Sequence, residues 1–155
     1  MSGLQLLIIA LGRMCFSLIF ILGGIEKITN WESAELAVNT AFTDLFNYSI
    51  EYPSLQNLIQ ELIPHVSRLV LGATILELGG GILLFFGIQV RLASALLLVF
   101  LGCVTPLLHS FWRFEGPERE LHTIMFLKNL ALFGTTLMLL GYGKGGSKKQ
   151  AKIEG

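Results

Sequence analysis

Six polar side chains stand in or at the ends of otherwise apolar stretches of this chain: Arg13, Lys27, Glu77, His109, Lys128 and Asn129. Glu77 is the sharpest case, near the middle of residues 69–88, LVLGATILELGGGILLFFGI, a run with no other charge. A helix of that length spans about 30 Å, the thickness of a bilayer's hydrocarbon core. A carboxylate at that depth costs about 3 kcal/mol, so it should face protein and have a partner. Arg13 lies about 13 Å into the first apolar run, near the midplane, and is the expected partner. Lys128 falls about 10 Å from the outer end of the last apolar run, with Asn129 beside it. Lys27 and His109 fall near the outer boundary, together with Glu26 and His122. The polar groups therefore form a column from the midplane to one side, and the opposite half of the membrane has nothing comparable.

Two readings of that column stand. If all groups are ionised, Arg13, Lys27 and Lys128 against Glu26 and Glu77 leave one positive charge over. That surplus suits an anionic or carbonyl-bearing ligand such as a small acid or a quinone head group. Arg13 and Lys128 would hold its oxygen, Glu77 would orient Arg13 or relay protons, and His109 would exchange protons with the outside. The alternative is structural: Arg13–Glu77 locks two helices together and Lys128 snorkels outward.

Other chemistries find little support. His109 and His122 share a depth, but their spacing is no known ligand pattern, so no metal is expected. His65 beside Pro64 carries no signal of its own. Cys15 and Cys103 lie in apolar runs without CxxC spacing and are expected to pack as small hydrophobes. The chain carries no flavin, haem or iron–sulfur motif of its own, so a redox couple would come from a bound quinone or a catalytic partner. No basic stripe with interleaved aromatics points to nucleic acid.

The elements that must position these residues follow from composition. The chain has 155 residues, 53% hydrophobic and 14% charged, against about 25% charged in soluble domains. The fold class expected is all-α, a polytopic membrane four-helix bundle in a single domain over residues 1–143. The spans are expected at about 4–25, 66–88, 92–111 and 121–141. Residues 4–25 lack a preceding Lys or Arg and hold an arginine, so they read as a retained span and not a signal peptide. The acidic stretch 26–65 shows helical periodicity at 34–46 and 55–63, interrupted at Tyr52-Pro53. Two short amphipathic helices at the surface or capping the bundle are expected there. Pro106 should kink the third span near its end, and Gly116-Pro117 reads as the turn of a polar loop over 113–120. Arg13, Ser17, Phe20, Gly24 and Lys27 share one helical face that should turn inward. Ala73, Gly80 and Gly81 flank Glu77 and would admit a neighbouring helix closely. Trp31, Tyr48, Tyr52 and Trp112 fall where an outer aromatic belt would lie. Residues 144–155, with Lys144, Lys148, Lys149 and Lys152, read as a flexible tail. That tail and Arg91 place both termini in the cytoplasm by the positive-inside rule.

Several segments resemble those of DoxX-type proteins: Gly12-Arg13, Gly23-Gly24-Ile25-Glu26-Lys27, Leu76-Glu77-Leu78-Gly79-Gly80-Gly81, Thr105 with His109-Ser110-Phe111-Trp112, and Lys128-Asn129-Leu130. The resemblance implies a small four-helix protein of the bacterial inner membrane. It further implies a subunit of a membrane oxidoreductase in partnership with a peripheral or membrane redox protein, with homo-oligomers also open. The family's recurring polar positions fall on Arg13, Lys27, Glu77, His109, Lys128 and Asn129. A membrane anchor, assembly factor or small-solute carrier is the competing functional class.

Overall fold

A computed structural model describes residues 2–143, so the Lys-rich segment 144–155 lies outside the described residues. Six α-helices follow one another: α1 Gly3–Thr29, α2 Trp31–Tyr48, α3 Pro53–Leu62, α4 Val66–Phe86, α5 Val90–Leu108 and α6 Gly116–Tyr142. Short 3-10 turns at Ile63–His65 and Phe111–Arg113 join α3 to α4 and lead out of α5. Four helical stretches are long and apolar enough to cross a membrane: α1, α3 continued into α4, α5 with its following turn, and α6. The fold is all-α, with four potential spans and two amphipathic helices between the first and second, as composition and periodicity require.

Local chemistry sets the helix ends. Ser2 and Gln5 form a reciprocal capping box at the start of α1. Pro53 and Pro117 sit in the first turns of α3 and α6, where a missing N–H costs nothing and φ is already helical. Gly116-Pro117 therefore starts α6 five residues earlier than expected, and does not turn a polar loop. Gly87, at φ 71°, closes α4 in the left-handed region. α5 continues through Pro106 and ends two residues later at Leu108.

The spans pack in a row, α1 on α4, α4 on α5 and α5 on α6. α4 sits between two neighbours because it is small on both sides. Gly81 lies against Phe20 and Ile21 of α1, and Gly80 against Leu97 and Ala93 of α5. In return, Gly23 and Gly24 of α1 lie against Glu77 and Leu78. The buried face of α1 is Ser17, Phe20 and Gly24, the face its spacing predicts. Phe20, Leu84, Leu97, Phe100 and Leu101 form the main core. A second cluster, Phe42, Ile59, Val66 and Val70, seats α2 and α3 across the α4 and α5 ends. α1 and α6 stand at the two ends of the row and do not pack along one another. Large apolar side chains such as Leu22, Ile75 and Ile124 point outward, more than 60% exposed, as a lipid-facing surface requires. Cys15 and Cys103 lie on these outward faces, not in the core.

Candidate functional site

The expected pair Arg13–Glu77 does not form. Glu77 is 5% exposed and its Oε2 accepts from Lys27 Nζ at 2.8 Å. Lys27 Nζ also donates to the Gly23 carbonyl at 3.3 Å and lies 5.7 Å from the Phe100 ring centroid. Arg13 instead rests against Gly87 at the far end of α4, with its Nε buried and without a hydrogen-bond partner among the described residues. The cause is helix register. Contact between the glycines fixes Gly23, not Arg13, opposite Glu77. Arg13 is ten residues earlier, about 15 Å away along the axis. Depth counted from the start of an apolar run missed this because α1 begins well beyond the turn that ends α4.

The other five candidate residues do come together. Lys27 from α1, Glu77 from α4, His109 just after α5, and Lys128 and Asn129 from α6 line one cavity of about 220 Å³. Phe20, Phe100, Val104 and Leu132 complete its walls. Phe100 was missed: it lies in an uncharged stretch of α5, where nothing in the sequence separates a cavity wall from ordinary core. The cavity is bounded by both α1 and α6, in the space that a packed α1–α6 edge would fill.

Its electrostatics are uneven. Lys27 and Glu77 neutralise each other, and theirs is the one ion pair among the described residues. The exposed Lys128 makes one side-chain hydrogen bond among the described residues, to the Met125 sulfur at 3.4 Å. Among the charged side chains that line the cavity, Lys27 and Lys128 against Glu77 leave one positive charge over. Asn129 is 9% exposed and its amide makes no side-chain hydrogen bond among the described residues. His109 Nδ1, on the cavity wall, and Thr105 Oγ1, outside its lining, are buried without hydrogen-bond partners among the described residues. Unpartnered buried polar atoms are rare, and each asks for a ligand, an ion or water.

His109 also borders a larger cleft of about 770 Å³ between α2 and the start of α6, with Asp44, Arg113, Glu118 and His122. It thereby connects the inner cavity with the end of the bundle. The His109 and His122 rings lie 5.8 Å apart, and Phe114 stacks on His122 at 3.9 Å. Arg113, read from sequence as the edge of a loop, is a tether. It donates to the carbonyls of Leu107 (2.7 Å) and Ala41 (3.3 Å) and to Ser110 Oγ, joining α2 to the end of α5.

No curated protein and no solved structure matches this chain. A family model does, over residues 6–142, from the first turns of α1 to the last residue of α6. It is not that of DoxX-type proteins, and it overturns that resemblance; the oxidoreductase role that the resemblance implied loses its support. The segments that suggested it are glycines beside charges, as in Gly23-Gly24 and Glu77 with Gly80-Gly81. A helical bundle with a charged interior needs such pairs for close packing, whatever its ancestry. The chain belongs to the HR-like lesion-inducing family.

Proposed function

We propose that this chain is a membrane protein that binds a small anionic or carbonyl-bearing ligand between Lys27, Glu77, His109, Lys128 and Asn129. Lys128 carries the reading. It is a cation within a spanning helix, on the wall of a cavity, with no carboxylate among the described residues to balance it. Charges in that setting ordinarily serve a ligand, an ion or a proton path. The Lys27–Glu77 pair holds α1 against α4 and fixes the cavity's inner wall. Asn129 supplies an amide donor, and His109 stands between the cavity and the outer cleft, placed to pass protons between them. A quinone head group is one ligand of this chemistry, and its redox use would need an electron partner outside the chain. Arg13 beside Gly87 adds a positive charge at the Arg91 end, which supports a cytoplasmic placing of that end.

The test is to isolate the protein with its surrounding lipid in polymer nanodiscs and identify the small molecules extracted from it by mass spectrometry. Wild type and Arg13→Leu, whose change lies outside the cavity, should retain the same compound, and Lys128→Leu should lose it. The same extract from all three proteins would reduce the cavity to a packing feature.

A further inference from the structure

Beside the polar cavity lies a second space of about 370 Å³ with an almost wholly apolar lining. Phe42 of α2, Leu69 and Gly72 of α4, and Cys103 and Leu107 of α5 bound it, and Arg68 at the start of α4 is the one charged residue of its lining. Phe100, Val104 and Leu108 of α5 border both spaces, so a single row of side chains is their shared wall. A third space, of about 280 Å³, touches Lys27 on one side and Val38, Val70 and Ala73 on the other. This third space, which Glu26 also lines, adjoins the polar cavity at Lys27, Val104 and Leu108 and the apolar pocket at Val38, Val70 and Ala73.

We infer, resting on the binding reading above, that the ligand is a monocarboxylate bearing a single apolar chain. Its carboxylate sits by Lys128 and Asn129, and its chain fills the pocket between α2, α4 and α5. A small water-soluble anion would satisfy Lys128 and leave the apolar pocket without an occupant. A neutral lipid would fill the pocket and leave the surplus charge uncompensated. An amphiphilic acid answers both at once, and the spaces suit a ligand of modest size. The apolar pocket lies between the spans α4 and α5 and the amphipathic α2, so the chain is enclosed by apolar side chains.

The experiment uses decanoic acid carrying a photoreactive diazirine at its chain end, added to the full-length protein in nanodiscs. Gly72→Leu is the informative variant, because a Cβ at Gly72 meets nothing within 4 Å and the added side chain occupies the pocket without straining the helix. Crosslinks are expected on α4 and α5 around Gly72 and Leu107, saturable and removed by excess decanoate. Gly72→Leu should lower them about tenfold, as when a side chain takes a ligand's space. The matching change Gly12→Leu, on an outward face with equal room, should leave them unchanged. Labelling spread over all outward faces and insensitive to decanoate would overturn the inference, since bilayer chains would then fill the pocket. If Lys128 still governs retention of an extracted compound, that failure leaves the binding reading standing. Loss of both results removes both.

Discussion

Replacing Lys27 by Met would leave the Glu77 carboxylate, 5% exposed, without its ion-pair partner. Breaking a buried pair from one side costs about 3–5 kcal/mol. The lower end applies here, because the Lys27 side chain is itself 22% exposed and its charge is partly relieved at the boundary. Glu77→Leu should cost less, about 1–2 kcal/mol, since Lys27 keeps the Gly23 carbonyl and the Phe100 face and can reach outward. The double variant Lys27→Met/Glu77→Leu keeps the volumes and removes both charges, so it should return close to wild type. The two single effects are therefore expected to be non-additive by about 4–5 kcal/mol. At about 2–4 °C per kcal/mol for a chain of this size, Lys27→Met should lower the apparent melting temperature by roughly 6–12 °C. Circular dichroism of the four proteins in identical nanodiscs reads this directly. A Lys27→Met protein melting within a degree of wild type, or single effects that simply add, would refute the idea that this pair holds α1 on α4.

Gly24→Ala would bring a Cβ 2.8 Å from Leu78 Cβ, so the helices must part, at about 1–3 kcal/mol. Gly12→Ala, with nothing within 4 Å, should be neutral or gain up to about 1 kcal/mol of helix propensity; equal melting temperatures would count against the packing argument. Lys128→Leu removes no ion pair and should stay within about 0.5 kcal/mol of wild type in thermal melts, so a large loss of stability would make Lys128 a structural residue. Arg113→Met deletes the bonds to Ala41, Leu107 and Ser110, each worth about 1.5–3 kcal/mol to a charged donor. Hydrogen exchange should then quicken in α2 (Trp31–Tyr48) and not in α4 or α5, and unchanged protection of α2 would mean that its apolar contacts alone hold it.

The four spans and the convergence of Lys27, Glu77, His109, Lys128 and Asn129 were readable from hydropathy and rise per residue, because both depend on position along the chain. The identity of Glu77's partner was not. It depends on how far α1 slides along α4, and that slide is set by the fit of Gly23 and Gly24 to Glu77 and Leu78. A shift of three turns alters no local pattern, yet it exchanges Arg13 for Lys27. Phe100 and Arg113 were hidden for related reasons. One lies in an uncharged stretch of α5, and the other acts mainly through backbone carbonyls, which no side-chain spacing reveals.

The row-like packing of the spans bears on how the protein is made. Each of α4, α5 and α6 rests mainly on the span inserted just before it, so every main interface can close as its second helix leaves the ribosome. No span must wait for a distant one, and such order favours domain-by-domain assembly over kinetic traps. The Lys27–Glu77 pair can form as soon as α4 enters the bilayer, which shelters the carboxylate before α5 arrives. When α6 joins it needs only α5, and its docking against α5 brings Lys128 and Asn129 to a cavity whose other walls are already in place.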